Sequence, residues 1–303
     1  VLDNLQYLSA RTVPTLTKEC PINQIIAPSI KPLQKRNVVI VLMESFGARY
    51  VKSLGGDDIA PNFEKLKEQG WFFERMYAAG HRSVRGIEAV TASMPISPLP
   101  SIVKLTAQNE LTTIFSVYKK LGYNTSFIYG GESHFDNMRR YFFGNGVDHI
   151  TEQKDYKNPK FVSSWGVSDE DLFERANKNF VEFSKEGKPF ASIVFTSSFH
   201  DPFDIPEGKV NIDGIKTDDP KRLLAAKYAD YALGKFFEQA QKEDYYKNTV
   251  FVVIADHDSR VRGLDGFPLT NYSIPALIIS PDITPHKDTR VVSQIDIMPT
   301  IFS

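Results

Sequence analysis

The chain has 303 residues, 42% of them hydrophobic and 24% charged, an ordinary globular composition with apolar material for a large core. Thirty-six basic residues against 37 acidic ones leave a formal net charge of -1, which removes the global electrostatic case for nucleic acid. A single cysteine, Cys20, excludes an internal disulfide framework and a multi-cysteine zinc site, and no apolar run reaches the length of a membrane span.

Residues 1–36 carry scattered prolines (Pro14, Pro21, Pro28, Pro32) without a sustained period, the pattern of an irregular arm or linker. At Asn37 the pattern changes. The run NVVIVLM, 37–43, is continuous, apolar and β-branched, which predicts a strand buried on both faces. A helix is predicted over 60–69, with Pro61 in its first turn and Gly70 as its stop. After Ser83, the residues Ile87, Val90 and Met94 fall at helical spacing, so Ser83 stands near a helix N-terminus. Residues 111–121 read as an amphipathic helix closed by Gly122, and NTSFIYG, 124–130, as a strand. Ser168 and Asp171 resemble a capping box opening a helix through Phe180 and Phe183. A strand follows at 190–196, a long helix at 221–241, and buried strands at VFVVIAD, 250–256, and IPALIIS, 274–280. The closing segment 294–303 reads as a helix start that stops short, so a truncated C-terminus is expected. Strands alternating with helices predict an α/β fold, a mostly parallel central sheet sandwiched by helices, with one domain over 37–303.

In such sheets ligands gather beyond the carboxyl ends of the strands, and three strands deliver polar residues there. The first ends in Met43-Glu44-Ser45, the 190–196 strand leads through Ser197 and Ser198 to His200, and the 250–256 strand ends in Asp256-His257-Asp258. A carboxylate beside a histidine offers one oxygen and one nitrogen to a metal, although such a pair taken alone reads first as a loop hydrogen bond. Glu44 follows six apolar residues, and a carboxylate at a buried strand end needs a partner. In His81-Arg82-Ser83-Val84-Arg85-Gly86 the serine has two readings. It is either the N-cap of the helix, or a nucleophile whose target phosphorus faces free backbone N–H groups and the guanidiniums of Arg82 and Arg85. Neither GxGxxG nor the Walker phosphate loop is present, so no nucleotide cofactor is indicated.

MESFG at 43–47, APNFEKLKEQG at 60–70, HRSVRGIEA at 81–89 and ADH at 255–257 resemble the sulfatase-like branch of the alkaline phosphatase superfamily. More narrowly, they are similar to the catalytic domains of lipoteichoic acid synthase-type phosphoglycerol transferases. YGGESHFDNM at 129–138, WGVSDEDLF at 165–173 and SQIDIMPT at 293–300 extend the similarity from Asn37 to the end of the chain. The resemblance implies one divalent metal held by Glu44, Ser83, Asp256 and His257, with manganese expected first and zinc or magnesium as alternatives. It implies Ser83 as nucleophile and His200 as the proton-handling residue at the leaving or entering group. Arg82, Arg85, His134, Trp165 and Arg260 are the substrate-binding candidates. Packing is the alternative reading for His134 and Trp165. Arg139-Arg140 reads as a solvated helix face, and His149 and His286 as structural.

Two departures from the family matter. The best known phosphoglycerol transferases carry threonine where this chain has Ser83, which keeps the hydroxyl. Sulfatases proper carry Cys or Ser followed by x-Pro-x-Arg. Ser83-Val84-Arg85 lacks that proline, and Ser93-Met94-Pro95-Ile96-Ser97 lacks the arginine, which disfavours sulfate ester hydrolysis. The resulting expectation is a metal-dependent transferase that moves a phosphoglycerol or similar head group, through a covalent Ser83 intermediate, from a phospholipid donor to a glycan or lipid acceptor of the cell envelope. The family places such domains outside the cytoplasmic membrane, hung from N-terminal membrane helices, and the arm before Asn37 fits a tether. A phosphodiesterase or phosphatase using water as acceptor, and a non-catalytic domain binding an anionic glycan or lipid, are the alternatives.

Overall fold

A computed structural model describes residues 35–258 and 269–303. The arm, apart from its last two residues, and the substrate-binding candidate Arg260 lie outside the described residues. At the centre is β1 (Asn37–Met43), every residue of which is buried, as the unbroken β-branched run requires of a strand covered on both faces. It is flanked by β8 (Thr249–Ala255) and β7 (Phe190–Phe195), both parallel to it. Beyond β7 lie β3 (Asn124–Tyr129) and the short edge strand β4 (His149–Thr151), also parallel. On the other side β9 (Ser273–Ile279) runs antiparallel to β8 and to β2 (Trp71–Tyr77), and β10 (His286–Ser293) closes the edge parallel to β2. The 8-stranded order is β10-β2-β9-β8-β1-β7-β3-β4. The predicted mostly parallel sheet is therefore present, with β9 alone reversed.

Helices α1 (Pro61–Lys67), α5 (Asp169–Lys185) and α6 (Pro220–Ala240) pack together as one layer. A second layer contains α2 (Ser83–Ala92), α3 (Ile114–Lys120) and α7 (Ile297–Phe302), with α4 (Met138–Gly144) following β3. A small hairpin, β5 (Val162–Ser163) with β6 (Gly166–Val167), leads directly into α5. Local chemistry sets the helix starts. Thr113 caps α3 in a reciprocal box with Ser116. Ser168 caps α5 by accepting from the Asp171 N–H, whereas the Asp171 carboxylate accepts from the N–H groups of Lys160 and Phe161. The predicted box is thus half formed at Ser168, and its acidic member ties the incoming loop to the helix.

Five strands were not foreseen: the short β4, β5 and β6, and the longer β2 and β10. In β2 the pair Glu74-Arg75 interrupts the apolar run, and the pairing with both neighbours shifts register around it. In β10 most residues are exposed, so an edge strand rich in charge carries no hydrophobic period to read.

Candidate metal centre and cleft

Because β1, β7 and β8 are parallel and adjacent, their carboxyl ends open on one edge of the sheet, and α2 begins there too. At that edge β1 turns sharply. Ser45 sits in the left-handed region, with φ 53°, unusual for a residue with a side chain. In that conformation its N–H donates to Asp256 Oδ1 at 2.7 Å, and its hydroxyl donates to Glu44 Oε1 at 2.7 Å. The Glu44 N–H donates to Thr196 Oγ1 at 2.9 Å, which fixes the end of β1 against the end of β7.

Ser83 is the first residue of α2. Arg82 holds the N-cap position, and no side chain caps the helix. The capping reading of Ser83 is therefore replaced: its hydroxyl donates to Glu44 Oε2 at 3.1 Å and lies 3.4 Å from His257 Nε2. Gly86, one turn on, permits this approach. A Cβ there would meet the Asp256 carbonyl oxygen at 2.4 Å, so only glycine lets the helix start rest on the end of β8.

Glu44, Asp256 and His257 are all buried, and their ligand atoms lie within 4.8 Å of one another. Asp256 Oδ1 accepts from the N–H groups of Ser45 and His257, whereas its Oδ2 is buried without a hydrogen-bond partner among the described residues. His257 donates Nδ1–H to the Asp258 carbonyl at 2.6 Å, which leaves the Nε2 lone pair facing Ser83 Oγ and Asp256 Oδ2, the latter at 3.4 Å. Among the described residues no lysine or arginine pairs with Glu44 or Asp256; their one charged neighbour is His257. Burial, and then the nearby Glu44 carboxylate, push the Asp256 carboxyl above its ordinary range. Burial opposes the imidazolium of His257, but the Asp256 and Glu44 carboxylates outweigh it and raise that group as well. Two buried carboxylates without a cation, one with an orphaned oxygen, and an imidazole lone pair aimed among them are a donor set that fits a hard or borderline divalent ion.

Beside the cluster lies a narrow cleft open to solvent, lined among others by Glu44, Ser83, Tyr129, Phe135, Trp165 and His200. His200 thus shares a wall with Ser83. Its Nδ1 bonds the Asp201 carbonyl at 2.9 Å, so the local turn hydrogen bond and the place in the cleft coexist.

A model of the family described as Sulfatase matches residues 36–303. The chain belongs to the sulfatase family. Among curated members, it is 23% identical over 290 residues to the lipoteichoic acid synthase-like YvgJ of Bacillus subtilis, covering 88% of this chain and 46% of that protein. It is also 23% identical over 240 residues to phosphoglycerol transferase I of Citrobacter koseri, covering 75% of this chain and 31% of that protein. This sulfatase-family chain therefore spans less than half of either relative. A solved structure of an alkaline phosphatase superfamily protein from Vibrio parahaemolyticus superposes with a TM-score of 0.87 at 51% identity, over 90% of this chain and 67% of that one. The lipoteichoic acid synthase LtaP of Listeria monocytogenes superposes with a TM-score of 0.79 at 23% identity, over 88% and 71% of the two chains.

The remaining candidates of this sulfatase-family site are scattered. The Arg85 guanidinium is paired with the buried Glu88 at 2.6 Å and donates to the carbonyls of Ser97 and Leu99, so it braces α2 against the following loop instead of facing the cleft. Arg82 is exposed. His134 is exposed at 3.4 Å from Glu132, while its neighbour Phe135 lines the cleft. Trp165 is present in the cleft, with its ring centroid 3.8 Å from that of His200.

Two residues escaped the sequence reading. Gln294, fully buried, donates to the carbonyls of Ala255 and Asp256 at 2.7 Å each and accepts from the Ala79 N–H, so it clamps the end of β8. Asp169, also fully buried, accepts from the N–H groups of Ser197 and Ser198. Burial, the largest influence, pushes its carboxyl up to about 6 against those hydrogen bonds. Both residues lie inside the family-like segments 293–300 and 165–173, and that was their only sequence signal.

Proposed function

We propose that this chain is the catalytic portion of a metal-dependent transferase that moves a phosphoglycerol-type group from a phospholipid donor through a covalent Ser83 intermediate. The observation that carries the reading is the Ser83 hydroxyl, which caps no helix and instead points into the buried Glu44, Asp256 and His257 cluster. The printed names of the relatives, lipoteichoic acid synthase and phosphoglycerol transferase, support it. Glu44, Asp256, His257 and Ser83 would hold a divalent ion, manganese first and zinc or magnesium otherwise, which supplies charge stabilisation at the serine oxygen and polarises a phosphoryl oxygen.

The residues then divide the work. Ser83 Oγ bonds to phosphorus as its proton passes toward Glu44 Oε2, the hydrogen-bond partner already in place at 3.1 Å. The bond from phosphorus to the departing alcohol breaks, and His200 supplies the proton that alcohol needs. In the second half His200 takes the proton of the acceptor hydroxyl, the acceptor oxygen bonds to phosphorus, and Ser83 leaves with its proton restored. Free N–H groups at the start of α2 face the charge that accumulates on the phosphoryl oxygens. On this reading the acceptor is a glycan or lipid of the cell envelope, and the domain works at the outer face of the membrane.

Release of p-nitrophenol from bis(p-nitrophenyl) phosphate with added manganese tests the assignment, together with calorimetry of manganese binding. The wild type should bind the ion and turn over. Ser83→Ala should abolish turnover, and His200→Ala should keep ion binding while slowing turnover of donors with alkyl leaving groups by roughly 10²–10⁴-fold. Full activity in Ser83→Ala would overturn the scheme.

A further inference from the structure

The turn that carries His200 is held from one side by a single stretch of chain. Asp169, at the first position of α5, fixes the backbone of Ser197 and Ser198 through its carboxylate, and its own N–H donates to Ser198 Oγ at 3.0 Å. Four residues earlier, Trp165 sits in the tight connection of the β5–β6 hairpin. Its indole N–H donates to the Asp201 carbonyl at 2.6 Å, the same oxygen that accepts from His200 Nδ1 at 2.9 Å. The two rings lie with centroids 3.8 Å apart and planes inclined at 44°. Phe135 meets Trp165 edge to face, with centroids 5.3 Å apart and planes at 81°.

A carbonyl oxygen only accepts, so the nitrogen of His200 that meets it must carry the proton. In the neutral ring that leaves Nε2 as the basic atom, the nitrogen available for proton transfer. The indole N–H bonded to the same oxygen pins that carbonyl, and the indole face limits rotation of the imidazole. This is the arrangement by which an outer partner fixes a histidine's tautomer and aim.

We infer that Trp165 is a positioning residue for His200, holding the imidazole in its Nδ1-protonated tautomer through the shared Asp201 carbonyl, with Asp169 anchoring the same turn from beneath. This rests on the acid–base role given to His200 above. It also gives Trp165 a task other than substrate contact.

The test is a double-mutant cycle between Trp165→Phe and His200→Ala, measured on two donors: phosphatidylglycerol in mixed micelles, whose leaving alcohol needs a proton, and bis(p-nitrophenyl) phosphate, whose leaving group scarcely does. With phosphatidylglycerol, Trp165→Phe should lower kcat about tenfold at unchanged KM, a part of the 10²–10⁴-fold attached to an acid–base group. The loss should be smaller with the nitrophenyl ester and should vanish in the His200→Ala background. A raised KM on both donors, with effects that add in the double variant, would make Trp165 a substrate contact and overturn the inference. Nitrogen-15 NMR of the histidine rings provides a readout independent of turnover: the wild type should show His200 protonated at Nδ1, and Trp165→Phe should show a mixture. If the wild type turns over neither donor, the function proposed above fails, and the tautomer alone decides the positioning role. An unchanged tautomer in Trp165→Phe would overturn it. Trp165→Tyr enters the same cycle if the Phe variant fails to fold.

Discussion

Two buried aspartates of this chain have opposite surroundings. Asp230, on α6, reaches across to the start of α1, a helix whose own N-cap, Ala60, offers no side-chain acceptor. There it accepts from the N–H groups of Asn62 and Phe63 at 2.9 and 2.7 Å, and from Asn62 Nδ2 at 2.9 Å. Both oxygens are used, and two of the three donors are the orphan N–H groups that every helix start presents. Asp256, at the end of β8, has donors on one oxygen only, and the other is buried without a partner beside a second carboxylate. Burial opposes ionisation of both groups, but only Asp230 has its acceptor capacity filled by its own fold. On the function proposed above, the difference separates a carboxylate kept for structure from one kept for a ligand that the chain itself does not supply.

That contrast breaks most sharply by substitution. Asp256→Asn should cost turnover on the order of 10³-fold or more and abolish manganese binding. In chelator-treated protein its Tm should be equal to or above that of the wild type, because one of two buried like charges is gone. Asp230→Ala should behave in reverse, retaining activity while losing about 1–3 kcal/mol of stability to the stranded donors of α1. Parallel denaturation and turnover measurements on the two variants check both halves. A destabilised Asp256→Asn with normal ion binding would erase the distinction.

The approach of α2 gives the next largest effect. Gly86→Ala places a methyl group 2.4 Å from the Asp256 carbonyl oxygen, so either the helix start or the end of β8 must move. We expect roughly 1–3 kcal/mol of destabilisation from the overpacking and about a 10²-fold loss of turnover as Ser83 is displaced from the cluster. Activity assays alongside thermal melts would show whether the two losses travel together.

The smallest effect sharpens the Asp230 half. Its carboxyl is raised to about 6, first by burial and against its hydrogen bonds, from an ordinary value of 3.8. The folded state therefore holds this proton more tightly than the unfolded chain does between those values. Its contribution to stability is fully present below pH 3.8 and is lost as the pH rises through about 6. The stability gap between wild type and Asp230→Ala should accordingly narrow from pH 4 to above pH 6, which Tm measured across that range would reveal. A gap that widens would place the group's shift in the opposite direction.

Much of this was legible in the chain. The strands β1, β7, β8 and β9 announce themselves because burial on both faces demands unbroken apolar runs, and Glu44 stands out because it ends one of them. The residues that escaped did so for physical reasons. β10 is an exposed edge with no hydrophobic period, and β2 is broken by Glu74-Arg75 at its register shift. Gln294 and Asp169 act through backbone groups of distant strands, and a buried Gln or Asp looks the same in sequence as a solvated one. The task of Arg85 was misleading for a related reason: a guanidinium two residues from Ser83 suggests phosphate, but Glu88, three residues on along the same helix, is its partner. The cap reading of Ser83 failed by a single residue of register, since Arg82 takes the cap position.

The most direct measurement is intact-protein and peptide mass spectrometry of the manganese-loaded protein mixed with phosphatidylglycerol and quenched in acid. The account predicts a phosphoglycerol adduct confined to the peptide containing Ser83, absent from Ser83→Ala and forming more slowly in His200→Ala. Turnover of the donor by the wild type with no adduct at Ser83, or with an adduct at another residue, would contradict it.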